Sequence, residues 1–310
     1  MNNFISIVTP TYNEVDNIDN LCNEIKNICQ SNKILYEHII IDNCSTDGTI
    51  AKIKNLTGND KNIKAIINQS NYGHIRSPFY GMLQAKGNAV IIMPSDFQSS
   101  PQLILEYYNK WLDGSKVVLG RRSKVSDKFF LRIIKYLYYA FISKISNVKL
   151  EKNITGEGLY DKKVIDVLKN IKDPYPYIRG LIFELGFKID FIDFKQLVRV
   201  KGYSKNNLYT LFDLGLTGVV KHSNILLRVM ILCGFFSSFI SFIVSFFFLF
   251  YKIIYWNSFQ LGLAPILVGF FGLASLQIMI IGLIGEYISI VLSFSKNLPL
   301  VIEKERINFD

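Results

Sequence analysis

Two uncharged runs near the C-terminus limit what this chain can fold into more than any other feature. Val229–Tyr251 is 23 residues without a charge, and Leu261–Gly285 is 25. A helix rises 1.5 Å per residue, so about 20 apolar residues cross the hydrocarbon core of a bilayer. Two such runs in series point to paired membrane spans rather than to two core helices that are apolar all round. Lys221 and Arg228 precede the first run, and Lys296, Lys304 and Arg306 follow the second, whereas the stretch between them holds only Lys252. The positive-inside rule then puts both flanks on the cytoplasmic side. Tyr251, Tyr255 and Trp256 suit an interfacial belt. The expected organisation is a cytosolic domain over 1–222, a transmembrane hairpin over 223–295 with spans at about 229–251 and 261–285, and a cytosolic tail over 296–310. The expected location is the inner (cytoplasmic) membrane. Met1–Phe4 offers no basic stretch leading into an apolar one, so no signal peptide is expected.

The net charge is +10, from 35 Lys and Arg against 25 Asp and Glu. In a chain with membrane spans, such an excess suits anionic headgroups or phosphates. No nucleic-acid motif accompanies it, so nucleic acid is not expected as a partner. Cys22, Cys29, Cys44 and Cys233 have neither metal-site spacing nor a disulfide pattern, and read as reduced packing residues.

Ahead of the spans, short β-branched runs alternate with helical segments. Strands are expected at Ile5–Thr9, His38–Ile41, Ala65–Asn68, Ala89–Met93 and Val117–Leu119. Helices are expected at Asp16–Ser31, Thr46–Asn55, Ser77–Ala85 and Pro101–Leu112. This alternation is the mark of an α/β fold with a mostly parallel sheet covered on both faces. Such sheets bind ligands beyond the carboxyl ends of their strands. The residues that matter most are therefore Pro10–Glu14, Asp42–Ser45 and Pro94–Asp96. Phe129–Ile145 is aromatic and basic, and reads either as an amphipathic helix packed on the sheet or as one lying in the membrane interface; Leu208–Val220 reads the same way.

The first strand runs into Pro10-Thr11-Tyr12-Asn13-Glu14, and the second ends in Asp42-Asn43-Cys44-Ser45-Thr46-Asp47-Gly48-Thr49. With these two motifs about 30 residues apart, the chain resembles the family-2 glycosyltransferases of GT-A (Rossmann-like) fold. The resemblance continues through Asn71-Tyr72-Gly73 and Asp96-Phe97-Gln98. In the tail, Gly285-Glu286-Tyr287-Ile288 with Lys296, Pro299 and Glu303 matches the polyisoprenyl-phosphate subgroup, which carries a C-terminal helix pair. It implies an inverting transferase that moves a sugar from a nucleotide-diphosphate sugar to a polyprenyl phosphate, with Mg2+ or Mn2+ as cofactor, and it leaves a homo-oligomer open.

By family position, Asp96 is the metal ligand, with Gln98 as a second oxygen donor, a choice that suits a hard cation. Pro10, Tyr12 and Glu14 would line the base and ribose pocket, facing Asp42 and Asn43, with Ser95 and Arg122 nearby. Glu14 also suits the cap of the first helix. Arg199, Ser204 and Lys205 match the phosphate-binding stretch of the subgroup, and Arg121, Arg179, His74 and Arg76 are secondary candidates. Three positions depart from the family. Pro94 replaces the first Asp of the D-x-D turn, and Asn43 replaces an Asp that accepts from the base. An amide accepts from uracil or donates to cytosine, so the base stays open. Gly156 stands where relatives have an Asp, with Glu157 next to it as a substitute base. An ionised phosphate acceptor needs no base, whereas a hydroxyl acceptor does. A hydroxyl acceptor and an inactive family member are therefore the alternatives to phosphate.

Overall fold

The computed structural model describes residues 3–123, 153–197, 263–296 and 298–309, together with scattered positions between 232 and 255. The described residues fall into two compact units. One is the sheet domain, to which the residues after 296 also belong, and the other lies between 212 and 296.

The sheet domain opens with β1 (Ile5–Thr11), α1 (Ile18–Ser31), β2 (Tyr36–Asp42), α2 (Thr49–Asn59), β3 (Ile63–Asn68), α3 (Gly73–Leu83) and β4 (Ala89–Ile92). α4 (Leu103–Leu112) and β5 (Val117–Arg122) follow, then β6 (Ile154–Asp161), α5 (Lys162–Lys169), α6 (Ile178–Glu184) and β7 (Ile189–Phe194). The expected strands and helices are present, most with ends moved by two to four residues. The order across the sheet is β7-β5-β6-β4-β1-β2-β3-β8. β4-β1-β2-β3 is parallel throughout. β6 enters antiparallel between β4 and β5. The chain leaves β1 towards β2 on one side and later returns to its other side as β4, which makes the gap between the ends of β1 and β4 the topological switch point.

Side chains alternate across the sheet as strand geometry requires. Val8, Ile39 and Ile41 face α3, α5 and α6, where Phe79, Met82, Ile165, Leu168 and Ile182 are buried. Ile5, Ile7 and Ile91 face the opposite side, against Leu21 and Ile25 of α1 and Ile104 and Tyr107 of α4. Ile40 joins Ile18 and Ile53 beneath α1 and α2. Cys22 and Cys29 are buried in this packing, and burial pushes both thiols up to about 12, so they stay protonated as expected of packing residues. His38 is buried too, with Nε2 2.8 Å from Thr9 Oγ1, and burial lowers it to about 4.

The last strand, β8 (Glu303–Ile307), corrects the expected organisation. Residues 296–310 do not form a separate tail: β8 pairs antiparallel with β3 and closes that edge of the sheet. The alternation of half-buried Glu303, Glu305 and Ile307 with exposed Lys304 and Arg306 is that of an edge strand with charged neighbours.

In the second unit, α7 (Leu263–Ser295) is a single helix of 33 residues whose sequence holds one charge, Glu286. It runs ten residues past the expected end at Gly285, because Tyr287–Ser295 contains no helix breaker. Of the first apolar run, the described positions between 232 and 254 are helical, and Phe246 and Phe250 stack one turn apart at 6.1 Å. Counting described residues alone, no helix is long and apolar enough to cross a membrane. The backbone of α7 is nevertheless continuous over all 33 residues. Arg199, Ser204 and Lys205, the stretches 129–145 and 208–220, and most of the first apolar run lie outside the described residues.

Candidate active site

Three turns at the carboxyl ends of β1, β2 and β4 meet at the switch point. The first two are stitched together by side chains. Asn13, at φ 54°, donates its backbone N–H to Ser45 Oγ at 2.8 Å, and its Oδ1 accepts from Thr46 N at 2.8 Å. Glu14 N donates to Thr49 Oγ1 at 3.0 Å. The Glu14 carboxylate accepts from Asn17 Nδ2 at 2.6 Å, at the start of α1, which is the capping use that its position allowed. The β4 turn is tied to the β1 turn through Ser95, whose hydroxyl donates to the Pro10 carbonyl at 3.1 Å.

Asp42 is fully buried and binds its own turn, with Oδ2 accepting from Ser45 N at 2.9 Å and Oδ1 from Ser45 Oγ at 2.5 Å. Burial raises its pKa, and the Ser45 bonds oppose the rise. Asn43 is committed further. Its Nδ2 donates to Asn71 Oδ1 at 2.7 Å and to Gly73 O at 3.3 Å. Its Oδ1 accepts from Tyr72 N at 2.9 Å and from Asn68 Nδ2 at 3.2 Å. Two donors and two acceptors exhaust a primary amide. Asn43 was expected to read the nucleobase; its side chain instead pins the loop 68–73 to the end of β2. Neither Asn68 nor Asn71 stands out as a partner in sequence, because nothing local links them to position 43.

Asp96 sits in the turn after β4, where Phe97 takes φ 54° and Gln98 N donates to Asp96 Oδ1 at 3.2 Å. Across the mouth, Glu157 of β6 is 5% exposed. Its Oε2 accepts from Ser99 Oγ at 2.9 Å, and its Oε1 has no hydrogen-bond partner among the described residues. Burial pushes the Glu157 carboxyl up to about 7, and the nearby Asp96 carboxylate adds to the rise, while the Ser99 bond and the Arg122 guanidinium oppose it. Ser99 is a site residue that the sequence does not single out. Gln98 is less available than expected as a metal ligand, since its Oε1 accepts from Gln196 Nε2 and its carbonyl from Leu197 N.

A folded-state pKa above the unfolded value means that the native state holds its proton longer. This cost of burying Glu157 is absent below the unfolded pKa near 4.5, grows as pH rises, and is complete above about 7. Glu157→Gln is therefore expected to be more stable than the parent at pH 8, by roughly 3 kcal/mol at most, with the gain shrinking towards pH 5. Denaturant melts of both proteins at the two pH values, without metal or nucleotide, check this; an equal difference at both would overturn it. A carboxyl kept at a cost to folding, in a cleft beside a second carboxylate, is the pattern of a functional site.

The arginine candidates separate. Arg122, at the end of β5, acts on Glu157. Arg121 is paired instead with Asp193, at 2.6 and 2.9 Å, and lies over Phe191, so it fastens β5 to β7. Arg179 lies against Gly156, its Nε 3.1 Å from where a Cβ there would stand. Arg76 turns away from the mouth to backbone carbonyls, and His74 is exposed at the start of α3.

The donor set at the mouth is oxygen, from Asp96 and Glu157, which fits a hard divalent cation. Among the described residues no three His, Cys, Asp or Glu side chains converge. A cation here would complete its shell with ligand phosphate oxygens and water, as Mg2+ commonly does.

This arrangement has known counterparts. Bactoprenol glucosyl transferase of Shigella phage SfV is 28% identical over 301 residues, covering 97% of this chain and 98% of the relative. The uncharacterized glycosyltransferase YkcC of Bacillus subtilis is 29% identical over 298 residues, covering 96% and 92%. The fold matches that of glucosyl-3-phosphoglycerate synthase from Mycobacterium tuberculosis, solved with Mn2+, UDP and phosphoglyceric acid. The TM-score is 0.51 at 15% identity, over 70% of this chain and 76% of that one. The sheet domain is thus GT-A-like. The sequence model described as glycosyl transferase family 2 matches residues 6–167, from β1 through most of α5 and so across every turn of the mouth. The chain belongs to glycosyl transferase family 2.

Proposed function

We propose that this glycosyltransferase moves a sugar from a nucleotide-diphosphate sugar to a polyprenyl phosphate such as undecaprenyl phosphate, with inversion, at the cytoplasmic face of a membrane. The observation that carries the reading is the near-complete overlap with a bactoprenol glucosyl transferase, which extends past the sheet domain through the whole apolar region. The mouth of the sheet is consistent with it. An acceptor phosphate oxygen is ionised at neutral pH, so it attacks the anomeric carbon directly as the bond from that carbon to the diphosphate oxygen breaks, and no proton has to be removed. The protein's task is then alignment and charge compensation. Asp96 and Glu157 would hold Mg2+ or Mn2+, which when bound supplies positive charge for the departing diphosphate. Arg122 offsets the carboxylates, and Pro10, Tyr12 and the Asn43-pinned loop shape the nucleotide side. Arg199, Ser204 and Lys205 are proposed to meet the phosphates.

Two features support the membrane part of the proposal. α7 is about 50 Å long at 1.5 Å per residue, longer than a hydrocarbon core is thick, and large apolar side chains along it are exposed, among them Phe270, Ile278 and Val291. Moreover, the chain on both sides of the region 212–296 belongs to the sheet domain. Both flanks therefore lie on one side of a membrane, which requires an even number of crossings and agrees with a hairpin. The positive-inside pattern makes that side cytoplasmic.

One observation favours a second reading, in which the acceptor is a hydroxyl on a lipid or lipid-linked glycan. A Glu157 carboxyl near pH 7 is suited to act as a general base. The test is transfer from a panel of labelled UDP-, GDP- and CDP-sugars to undecaprenyl phosphate in detergent, with Mn2+, Mg2+ or EDTA. A glycolipid formed from one donor, lost with EDTA, is the expected result. Donor binding without any product on the phosphate acceptor would turn the reading to the hydroxyl.

A further inference from the structure

The loop that Asn43 pins has a second face, and the C-terminal segment holds it. Gln69 N donates to Ile302 O at 2.8 Å. In the first turn of α3, Arg76 sends Nε to Leu300 O and Nη2 to Pro299 O, each at 2.8 Å. The same guanidinium lies over the Tyr72 ring, 5.1 Å from its centroid. Tyr72 is the residue whose backbone N–H donates to Asn43 Oδ1. One planar group therefore joins two consecutive carbonyls of the C-terminal segment to the loop under the nucleotide side of the site. The far end of α3 is tied to the same segment. Arg306 of β8 donates to Gln84 Oε1 at 2.9 Å and reaches the Tyr80 hydroxyl at 3.4 Å. Leu298 follows the end of α7 by three residues in sequence.

A fork of two parallel N–H donors is particular to arginine; a lysine ammonium satisfies one such carbonyl at a time and does not stack as a plane on an aromatic ring. A surface contact that served only to hold the chain would more ordinarily use a carboxylate partner or backbone pairing. Here the donors go to carbonyls that precede β8 and lack ladder partners in the sheet.

We propose that Arg76 is a positioning residue for the nucleotide-sugar site, coupling the 298–302 segment through Tyr72 and Asn43 to the loop against which the donor binds. The inference rests on the donor reading above. Coupling of this kind is reciprocal: if the docked segment tightens donor binding, bound donor tightens docking of the segment by the same factor. Arg76 does not touch the donor, and its loss acts on donor affinity rather than on chemistry.

The experiment uses the full chain in detergent, with UDP, GDP and CDP plus Mn2+ as probes; binding is measured first, and hydrogen exchange is then followed with the nucleotide that binds best. In the parent protein, nucleotide is expected to slow exchange over 298–307 by about fivefold or more, at the low end of ordinary coupling. Arg76→Lys and Arg76→Ala are each expected to abolish that slowing and to raise the donor KM about tenfold, with kcat and the lipid KM within twofold of the parent. Nucleotide that binds the parent but leaves exchange over 298–307 unchanged overturns the inference and leaves the donor reading standing. Faster exchange in the variants with an unaltered donor KM also overturns it, since that is the signature of a merely structural contact. If no nucleotide binds the parent, both readings fall. The parent comparison needs no variant, so a poorly folding Arg76→Ala does not remove the test.

Discussion

Replacing Asp96 by Asn is expected to lower the rate of sugar transfer by about 10²–10³-fold, the scale seen when one charged stabiliser of a leaving group is lost. The amide has the same shape, and its Oδ1 still accepts from Gln98 N, so the turn with Phe97 at positive φ keeps its form. What changes is charge. The oxygen donor set at the mouth drops from two carboxylates to one, and the remaining one, Glu157, holds its proton until about pH 7. A cation and a diphosphate would then meet too little negative charge to be held together. A second effect follows from the same substitution. The Asp96 charge is among the causes that raise Glu157, so its removal should bring the Glu157 titration down. The measurement is kcat at saturating donor and Mn2+, with a melting curve alongside. A variant that keeps more than about a tenth of the parent rate would remove Asp96 from the chemistry.

Gly158→Ala is expected to cost the fold about 4 kcal/mol or more, adding a strained backbone to overpacking with no soft neighbour. Gly158 takes φ 148°, and a Cβ there would come within 2.2 Å of the Val118 carbonyl oxygen and 3.0 Å of Leu119 Cα. Both atoms are backbone of β5, the strand that β6 pairs with at this point, so neither can move without parting the ladder. Against a typical stability of about 5–15 kcal/mol, the loss leaves little or nothing. Gly156, two residues earlier, also has positive φ, at 84°, but its nearest neighbour is the flexible Arg179 side chain. Gly156→Ala should therefore keep its fold at a cost of about 1–2 kcal/mol. Thermal melts and size exclusion of the two variants decide it; equal behaviour would contradict the assignment of the clash to the β5 backbone.

The same two glycines explain where the sequence stops being legible. β1 to β5 are runs of Ile and Val that bury on both faces, and each could be placed within a few residues. β6 could not, because Thr155-Gly156-Glu157-Gly158 has neither alternation nor β-branched density; it is a strand because β4 and β5 flank it with a gap that only a glycine backbone enters. β8 is charged on both faces and owes its conformation to the free edge of β3. At the site, the convergence of Asp96 and Glu157 was readable, since each follows or faces the end of a strand. The use of Asn43 was not, because its four partners lie 25 to 30 residues on and depend on how the loop 68–73 folds back. Gln98 and Arg76 were misjudged for the same reason: their partners, Gln196 and Pro299–Leu300, are about 100 and 220 residues away.

The place of β8 beside β3 also sets an order of events during synthesis. β3 ends at Asn68 and its partner begins at Glu303, so 234 residues, including the whole apolar region, must be made before that edge is covered. At about 5–20 residues per second this is an interval on the order of tens of seconds, in which the newborn domain has all its other strands but an open flank. The sheet can be finished only after the apolar region has left the ribosome. A chain stopped a few codons early would carry everything needed for the mouth of the site and still lack the strand that closes the edge. The last residues translated thus act as the molecule's own mark of completion.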